Sequence, residues 1–471
     1  MVILFLCSFG NQNYNCIFKL INFNLGEFWH NAKKIIILAL PIMLGSAGQN
    51  IIALTDSLFL YRYDENDFAA VGFISIFYLV IAAIAFGFSK GGQILIARKY
   101  GERSIDFVKK YFWAILLFEA IIGFIVFAIL FFWGKPILQL FISSDVILQK
   151  SLDFLYYRSF GIPFSYLGLA LVAFYLGIGK PMFIFIDTII LAIANFILCY
   201  ALVFGKFGFP EMGIAGAGLA SAIAEGIAFV VFIALMVFDK DIRVYELLKI
   251  PKIELQWVKT IYKLSIPILL QSMIGIGSWF MFFSLIEKLG EHALAISNLL
   301  RVVYLVLSIP SWGFGTAINS VVSKTIGRGR EKRVLKQVFH SSIVSLIFTS
   351  LIAIPFLLFA EQFLDPLLGR TDSSLFLDSI PYLNLLFPII LLYSVATVFF
   401  NGVSGTGETV KCLQIQLISS IVYLGISYYS VMFISDWGLY WAWASELLYW
   451  FIQLFLSFII LKAGKWNFIK F

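Results

Sequence analysis

The chain has 471 residues, of which 61% are hydrophobic and only 13% charged, with a formal net charge of +7. A water-soluble domain carries about 25% charged and about 45–50% apolar residues. Water is therefore excluded as the solvent for most of this chain, and an all-α integral membrane protein is expected.

The first ten residues, MVILFLCSFG, hold a short apolar run with no basic n-region, so a cleaved signal peptide is not expected. Residues 1–34 read as a cytoplasmic extension that does not span. A bilayer crossing takes about 20 apolar residues in a helix. Twelve runs meet that length, near 35–60, 68–97, 111–133, 154–178, 181–204, 212–238, 264–286, 293–323, 337–360, 379–403, 412–434 and 437–461. Two of them, 68–97 and 293–323, are long enough to tilt or to protrude. The four cysteines, Cys7, Cys16, Cys199 and Cys412, show no CxxC pairing or regular spacing, so neither a disulfide framework nor a zinc site is legible.

Basic residues set the orientation. With the N-terminus cytoplasmic, 25 of the 34 Lys and Arg residues fall in inner segments. Only Arg62, Lys135, Lys150, Lys206, Lys288 and Arg370 fall in outer loops, and Lys90, Arg158 and Arg301 lie within spans. This bias predicts a multi-pass protein of the cell (inner or plasma) membrane with both termini cytoplasmic. The positive charge is then topological, and no nucleic-acid partner is expected.

The chain resembles itself at one offset. Pro41 in LALPIMLGS matches Pro267 in LSIPILLQS, Gly87-Phe88 matches Gly313-Phe314, and Gly101 matches Gly327, each 226 residues on. Each half holds six spans, and an even number returns the chain to its starting side. The halves are therefore parallel repeats, with a solute path expected at their interface. The division reads as 1–34 extension, 35–238 first lobe, 239–263 cytoplasmic linker, 264–461 second lobe and 462–471 cytoplasmic tail.

Five acids lie within spans: Asp56, Glu119, Asp187, Glu225 and Glu446. A charged side chain at the bilayer centre costs about 2.5–3.5 kcal/mol, so each needs either a function or a structural partner. Lys90, Arg158 and Arg301 are the candidate partners. Asp56, in IIALTDSLFL, has no base within five positions. Gln49 is two turns earlier on the same helix face, and Gly45 leaves room for a solute or another helix. Asp56 is the candidate for exchanging a proton for a cation. Glu225 and Glu446 occupy near-equivalent positions in the halves, which favours a shared structural role. Asp187 is near a span end and is expected to reach water, Glu119 to pair with a neighbouring helix, and His340 to be interfacial. Arg301 is read as countering an acid or repelling cations.

Enzyme signals are weak: there is no DDxxD and no HExxH. The glycine-rich NGVSGTGETVK at 401–411 lacks the GxxxxGK[ST] spacing of a phosphate loop and reads as a tight turn between spans. No cofactor is expected beyond a coupling ion, H⁺ or Na⁺, because no ATPase domain is legible.

Taken together, Pro41 and Asp56 in the first span, GFSKGGQILIARKYGE, FGKFGFPEMGIAGAGLASA at 204–222 and NGVSGTGET at 401–409 resemble the multidrug and toxic compound extrusion (MATE) family, over about residues 33–460. The resemblance implies two six-helix lobes forming a V-shaped cleft. It also implies export of cationic, amphipathic, drug-like molecules against inward flow of H⁺ or Na⁺. In related transporters a first-lobe cation site uses the first-span aspartate, here Asp56, with an asparagine matched by Asn195 and a hydroxyl matched by Ser221. Cys199 stands where the family carries an aspartate or asparagine. Gly275 and Tyr393 stand where one branch carries a glutamate and an aspartate. Asp56 is thus left as the main coupling residue, with Gln49, Asn195, Cys199 and Ser221 around it. Gln271, Trp279, Arg301, Tyr393 and Asn401 are the candidate drug contacts. A hard cation such as Na⁺ prefers several oxygens, and the Cys199 sulfur weakens such a cage. The expectation is therefore H⁺ coupling, with Na⁺ at Asp56 and Asn195 as the alternative. A lipid-linked oligosaccharide flippase of the same superfamily is the nearest rival, but its diphosphate calls for several cations and only Arg301 is at hand. A monomer is expected.

Overall fold

The structure is a computed structural model that describes residues 25–142, 144–252, 254–368, 373–434 and 437–464. Cys7, Cys16, Lys19, Arg370, Lys465 and Lys470 lie outside the described residues, as does most of the expected N-terminal extension. Among the described residues the regular structure is entirely helical. In chain order the helices are α1 Leu25–Tyr63, α2 Glu65–Gly101, α3 Ile105–Gln139, α4 Asp145–Ser159, α5 Ile162–Ile178, α6 Met182–Val203 and α7 Gly213–Phe238. There follow α8 Leu255–Glu287, α9 Glu291–Gly327, α10 Val334–Leu358, α11 Ala360–Leu368, α12 Ser373–Thr406, α13 Thr409–Phe433 and α14 Gly438–Ala463.

Among the described residues, eleven helices are long and apolar enough to cross a membrane, and a twelfth span results if the pair α4 and α5, bent by 53°, counts as one. The predicted runs match these helices, with three differences. The helix of the first span begins at Leu25 rather than residue 35, because polar side chains hold its early turns: Glu27 pairs with Lys336 at 2.5 Å, and Asn31 is 3.0 Å from the His340 ring. The fourth span is broken at Phe160–Gly161, and its polar beginning is helical from Asp145. The short helix α11 falls on a stretch too polar and too short to read as a span. The glycine-rich 401–411 stretch is mostly helix, with the turn confined to Gly407 at φ +95° and Glu408.

The chain divides into two compact units: Pro41–Met273, and residues up to Leu40 joined to those from Ile274 onward. Both boundaries fall inside helices, in α1 and in α8. Each of these helices also carries one of the repeat-related prolines, Pro41 and Pro267, in its interior. An interior proline removes one hydrogen bond from the helix ladder. The segment read as a linker is partly docked on the first unit. There the Trp113 indole donates to the Leu247 carbonyl at 2.9 Å, and Tyr245 packs edge-on to Phe174.

Each unit has its own core. Phe112, Phe174, Tyr175 and Phe232 are central in the first, and Phe282, Leu300, Tyr423 and Trp443 in the second. Many of the exposed side chains are large and apolar, among them Leu54, Phe132, Val230 and Leu351, as lipid-facing helices require. Where helices approach most closely, small residues make the approach possible. A Cβ on Gly218 of α7 would lie 2.5 Å from the Phe154 carbonyl oxygen of α4. Gly45 and Gly48 of α1 meet Thr188 of α6, so the space beside Gly45 is filled by a helix.

Candidate functional site

Three helices of the first unit converge on Asp56. Asn195 and Cys199 are four residues apart on α6, and Ser221 and Glu225 are four apart on α7, so each pair shares one helix face. The Asn195 amide donates to Asp56 Oδ1 at 2.6 Å. The Cys199 thiol and the Ser221 hydroxyl lie beside the same carboxylate. The flanking hydroxyls turn away, since Thr55 and Ser57 each bond a carbonyl one turn back in α1. Asp56 is half-buried, and its nearest donors are neutral.

A base stands close by but is engaged elsewhere. Arg158, from the last turn of α4, makes two bonds to Glu225, with Nη1 to Oε2 at 2.7 Å and Nη2 to Oε1 at 2.5 Å. Its guanidinium also lies 4.2 Å from the centre of the Tyr78 ring, a cation–π geometry. The break at Gly161 makes this possible: a Cβ there would sit 2.5 Å from Glu225 Oε2 and 2.6 Å from Arg158 Nη1. The positive charge still acts on Asp56 through space.

The other predicted residues of this unit are placed as follows. Gln49 is exposed, two turns from Asp56, and is not among the groups bonded to it. Glu119 is fully buried on α3 and accepts from the Ser89 hydroxyl of α2 at 2.7 Å, while its second oxygen has no partner among the described residues. Asp187 is half-buried, and its Oδ1 is buried with no hydrogen-bond partner among the described residues. Gln271 is half-buried near the end of this unit's share of α8.

In the second unit Trp279 and Tyr393 come together, but around an acid. The indoles of Trp279 and Trp450 donate to Glu446 Oε1 and Oε2, at 3.3 and 2.8 Å. Tyr393 packs on Trp450 with ring centres 4.5 Å apart, and Tyr304 packs on both Trp279 and Tyr393. Arg301 lies 5.4 Å from the Phe283 ring centre, and among the described residues no carboxylate is within ion-pair distance of it. Asn401 is buried, and its amide donates to the Thr397 carbonyl of its own helix. Glu225 and Glu446 therefore differ in environment. One holds a base, the other only neutral donors. This difference could not be read from their similar positions, since the partners come from helices far away in sequence. His340 is buried against Phe28, at 5.3 Å between ring centres.

Among the described residues there is no group of three or more His, Cys, Asp and Glu side chains able to hold a metal ion. Around Asp56 the available atoms are one carboxylate, one amide, one thiol and one hydroxyl. Such a set can hold and release a proton, and offers few oxygens to a hard cation.

The MatE family model matches residues 41–201 and 267–429. The two matches begin at Pro41 and Pro267, the residues that define the internal repeat. A probable multidrug resistance protein NorM of Thermotoga maritima is 24% identical over 449 residues, covering 92% of this chain and 93% of the relative. A probable multidrug resistance protein YoeA of Bacillus subtilis is 24% identical over 343 residues, 71% of this chain and 73% of the relative. Among solved structures, an outward-facing multidrug resistance MATE family transporter of the MOP superfamily matches with a TM-score of 0.85 at 17% identity, over 95% of this chain and 98% of that one.

Proposed function

The chain belongs to the MatE family of multidrug and toxic compound extrusion transporters, and on that premise we propose that it exports cationic or amphipathic small molecules in exchange for protons. Asp56 is the coupling group. The observation that carries this reading is the Asp56 carboxylate bonded to Asn195 at 2.6 Å, while the nearby Arg158 is committed to Glu225. A carboxylate served by neutral donors can gain and lose a proton without breaking an ion pair. The sulfur of Cys199 in its shell favours H⁺ over Na⁺ on ligand chemistry.

The cycle is alternating access by rocking of the two six-span lobes. Solute loads from the cytoplasm, and protonation of Asp56 on the outward-open form rearranges the Asn195, Cys199 and Ser221 contacts and the first span, displacing the solute. The proton is released inside after return. Pro41 gives α1 a weak point one long helical stretch from Asp56. The membrane potential contributes about 2.3 kcal/mol per charge per 100 mV, so one inward proton can drive a neutral or singly charged solute outward. Solute contact is assigned to the partly exposed Gln271, Trp279 and Arg301, and packing to the buried Tyr393 and Asn401. The working form is a monomer in the inner or plasma membrane, and its orientation with both termini cytoplasmic is supported by the concentration of bases in alternate loops.

The names of the relatives, which refer to multidrug resistance, suggest ethidium as a first probe. Everted vesicles should accumulate ethidium when a proton gradient is imposed, and Asp56→Asn should abolish that response. Accumulation that follows a Na⁺ gradient at clamped pH, and ignores the proton gradient, would overturn proton coupling. Equal accumulation by the Asp56→Asn variant would remove Asp56 from the mechanism.

A further inference from the structure

We propose that Glu446 is a second proton-binding carboxylate, loaded and unloaded in the same cycle as Asp56. This inference rests on the proton-antiport reading above. Glu446 is buried, 3% exposed, on α14 in the second unit. Two indole N–H groups serve its two oxygens. The Tyr423 hydroxyl of α13 faces the same carboxylate and is buried with no well-formed hydrogen bond of its own.

Among the described residues, the titratable groups facing Glu446 are tyrosines: Tyr423 from α13, Tyr304 from α9, Tyr393 from α12 and Tyr449 from α14 itself. From α8 comes only Trp279. Among the described residues no base of these elements faces it, and Arg301 of α9 lies over the Phe283 ring instead. Glu225, by contrast, is neutralised by Arg158. A buried carboxylate without a base must either keep its charge on neutral donors or take up a cation.

The donor set selects which cation. Indole nitrogens donate and cannot ligate a metal ion, so Na⁺ would meet little beyond the carboxylate itself. A proton needs only one oxygen. When the carboxylate takes a proton from water, the new O–H needs an acceptor. The two indoles cannot accept, whereas the unpartnered Tyr423 oxygen can. Deprotonation returns the proton to water and lets the Tyr423 hydroxyl donate instead. One O–H bond forms at the carboxylate as one breaks in the hydronium ion that delivers the proton, and the Tyr423 hydrogen bond reverses direction with it.

The test uses full-length protein in liposomes with the membrane potential clamped at zero and a gradient of one pH unit. Under these conditions each coupled proton supports about a tenfold ethidium gradient. Wild type should reach about 100-fold, and Glu446→Gln about tenfold. A wild-type gradient of only about tenfold overturns the proposal with no variant needed, as does an undiminished gradient in Glu446→Gln. Tyr423→Phe keeps the packing and removes the acceptor. It also removes the donor to the ionised carboxylate, the stronger of the two hydrogen bonds, so the pH of half-maximal exchange should shift to higher pH, and an unchanged profile in this variant counts against the assignment. Failure of the wild type to build any proton-driven gradient would instead sink the antiport reading itself.

Discussion

Arg158 grips Glu225 with both terminal nitrogens from the far side of a helix break, and this pair separates the arginine from Asp56. The arrangement puts one unit of positive charge near the coupling group without letting it form the bond that would fix Asp56 as an anion. Glu225→Gln should release Arg158 toward Asp56 and suppress proton-driven ethidium export. Breaking a buried pair by removing one partner costs about 3–5 kcal/mol, so the melting temperature in detergent should fall clearly. The double variant Arg158→Gln with Glu225→Gln should recover much of that stability. Losses that simply add across the double-mutant cycle would show that the pair is not the unit described here.

Cys199 can be tested as an ion selector. It is fully buried on α6, one turn from Asn195, and adjoins the Asp56 carboxylate. Cys199→Asp replaces a soft sulfur by two hard oxygens, which Na⁺ prefers. Export that is indifferent to Na⁺ in wild type should become Na⁺-stimulated in this variant. Vesicle assays at fixed pH with and without a Na⁺ gradient decide it, and unchanged ion dependence would mean that position 199 does not set ion choice.

Lys180, in the turn between α5 and α6, provides a pH test outside the membrane. Burial lowers its hold on the proton, but the hydrogen bonds and charges of Asp239 and Asp241, at 2.8 and 2.9 Å, outweigh that and raise its pKa above the ordinary 10.5. A raised lysine value means that the stabilisation is fully present below 10.5 and is lost as the pH climbs through the raised value. Lys180→Met should therefore lower stability by about 1 kcal/mol, by the same amount at pH 6 and pH 8. Melting curves at the two pH values check this, and a loss seen at only one of them contradicts it.

The apolar runs and the Pro41/Pro267 register made the helical architecture legible, because length and hydropathy are local properties of the chain. Asp56, Asn195, Cys199 and Ser221 were legible as a group only through the family resemblance. The structure brings these four together and leaves Gln49 apart, since a shared helix face does not by itself make a shared site. The break at Gly161 was hidden inside a continuous apolar run, and a glycine there looks like any other small residue in a span. The partners of Glu225 and Glu446 were illegible for another reason. Arg158 is 67 positions from Glu225, and Trp279 is 167 from Glu446, and no periodicity encodes pairings at such separations. Trp279 and Tyr393 read as drug contacts because aromatics in spans suit flat cations, and the bond from Trp279 to the distant Glu446 was not legible beside that reading.

The placement of the unit boundaries within α1 and α8 bears on how such a molecule can be taken apart. A gene cut at codon 250 would yield two polypeptides, neither of them a self-sufficient folding body. The upstream fragment would carry an initial helical arm whose home is in the downstream body, and the downstream fragment would begin with an arm belonging to the upstream one. Duplication followed by this reciprocal loan makes the halves mutually obligate. Co-expressed fragments should reassemble, while either alone should fall to quality-control proteolysis.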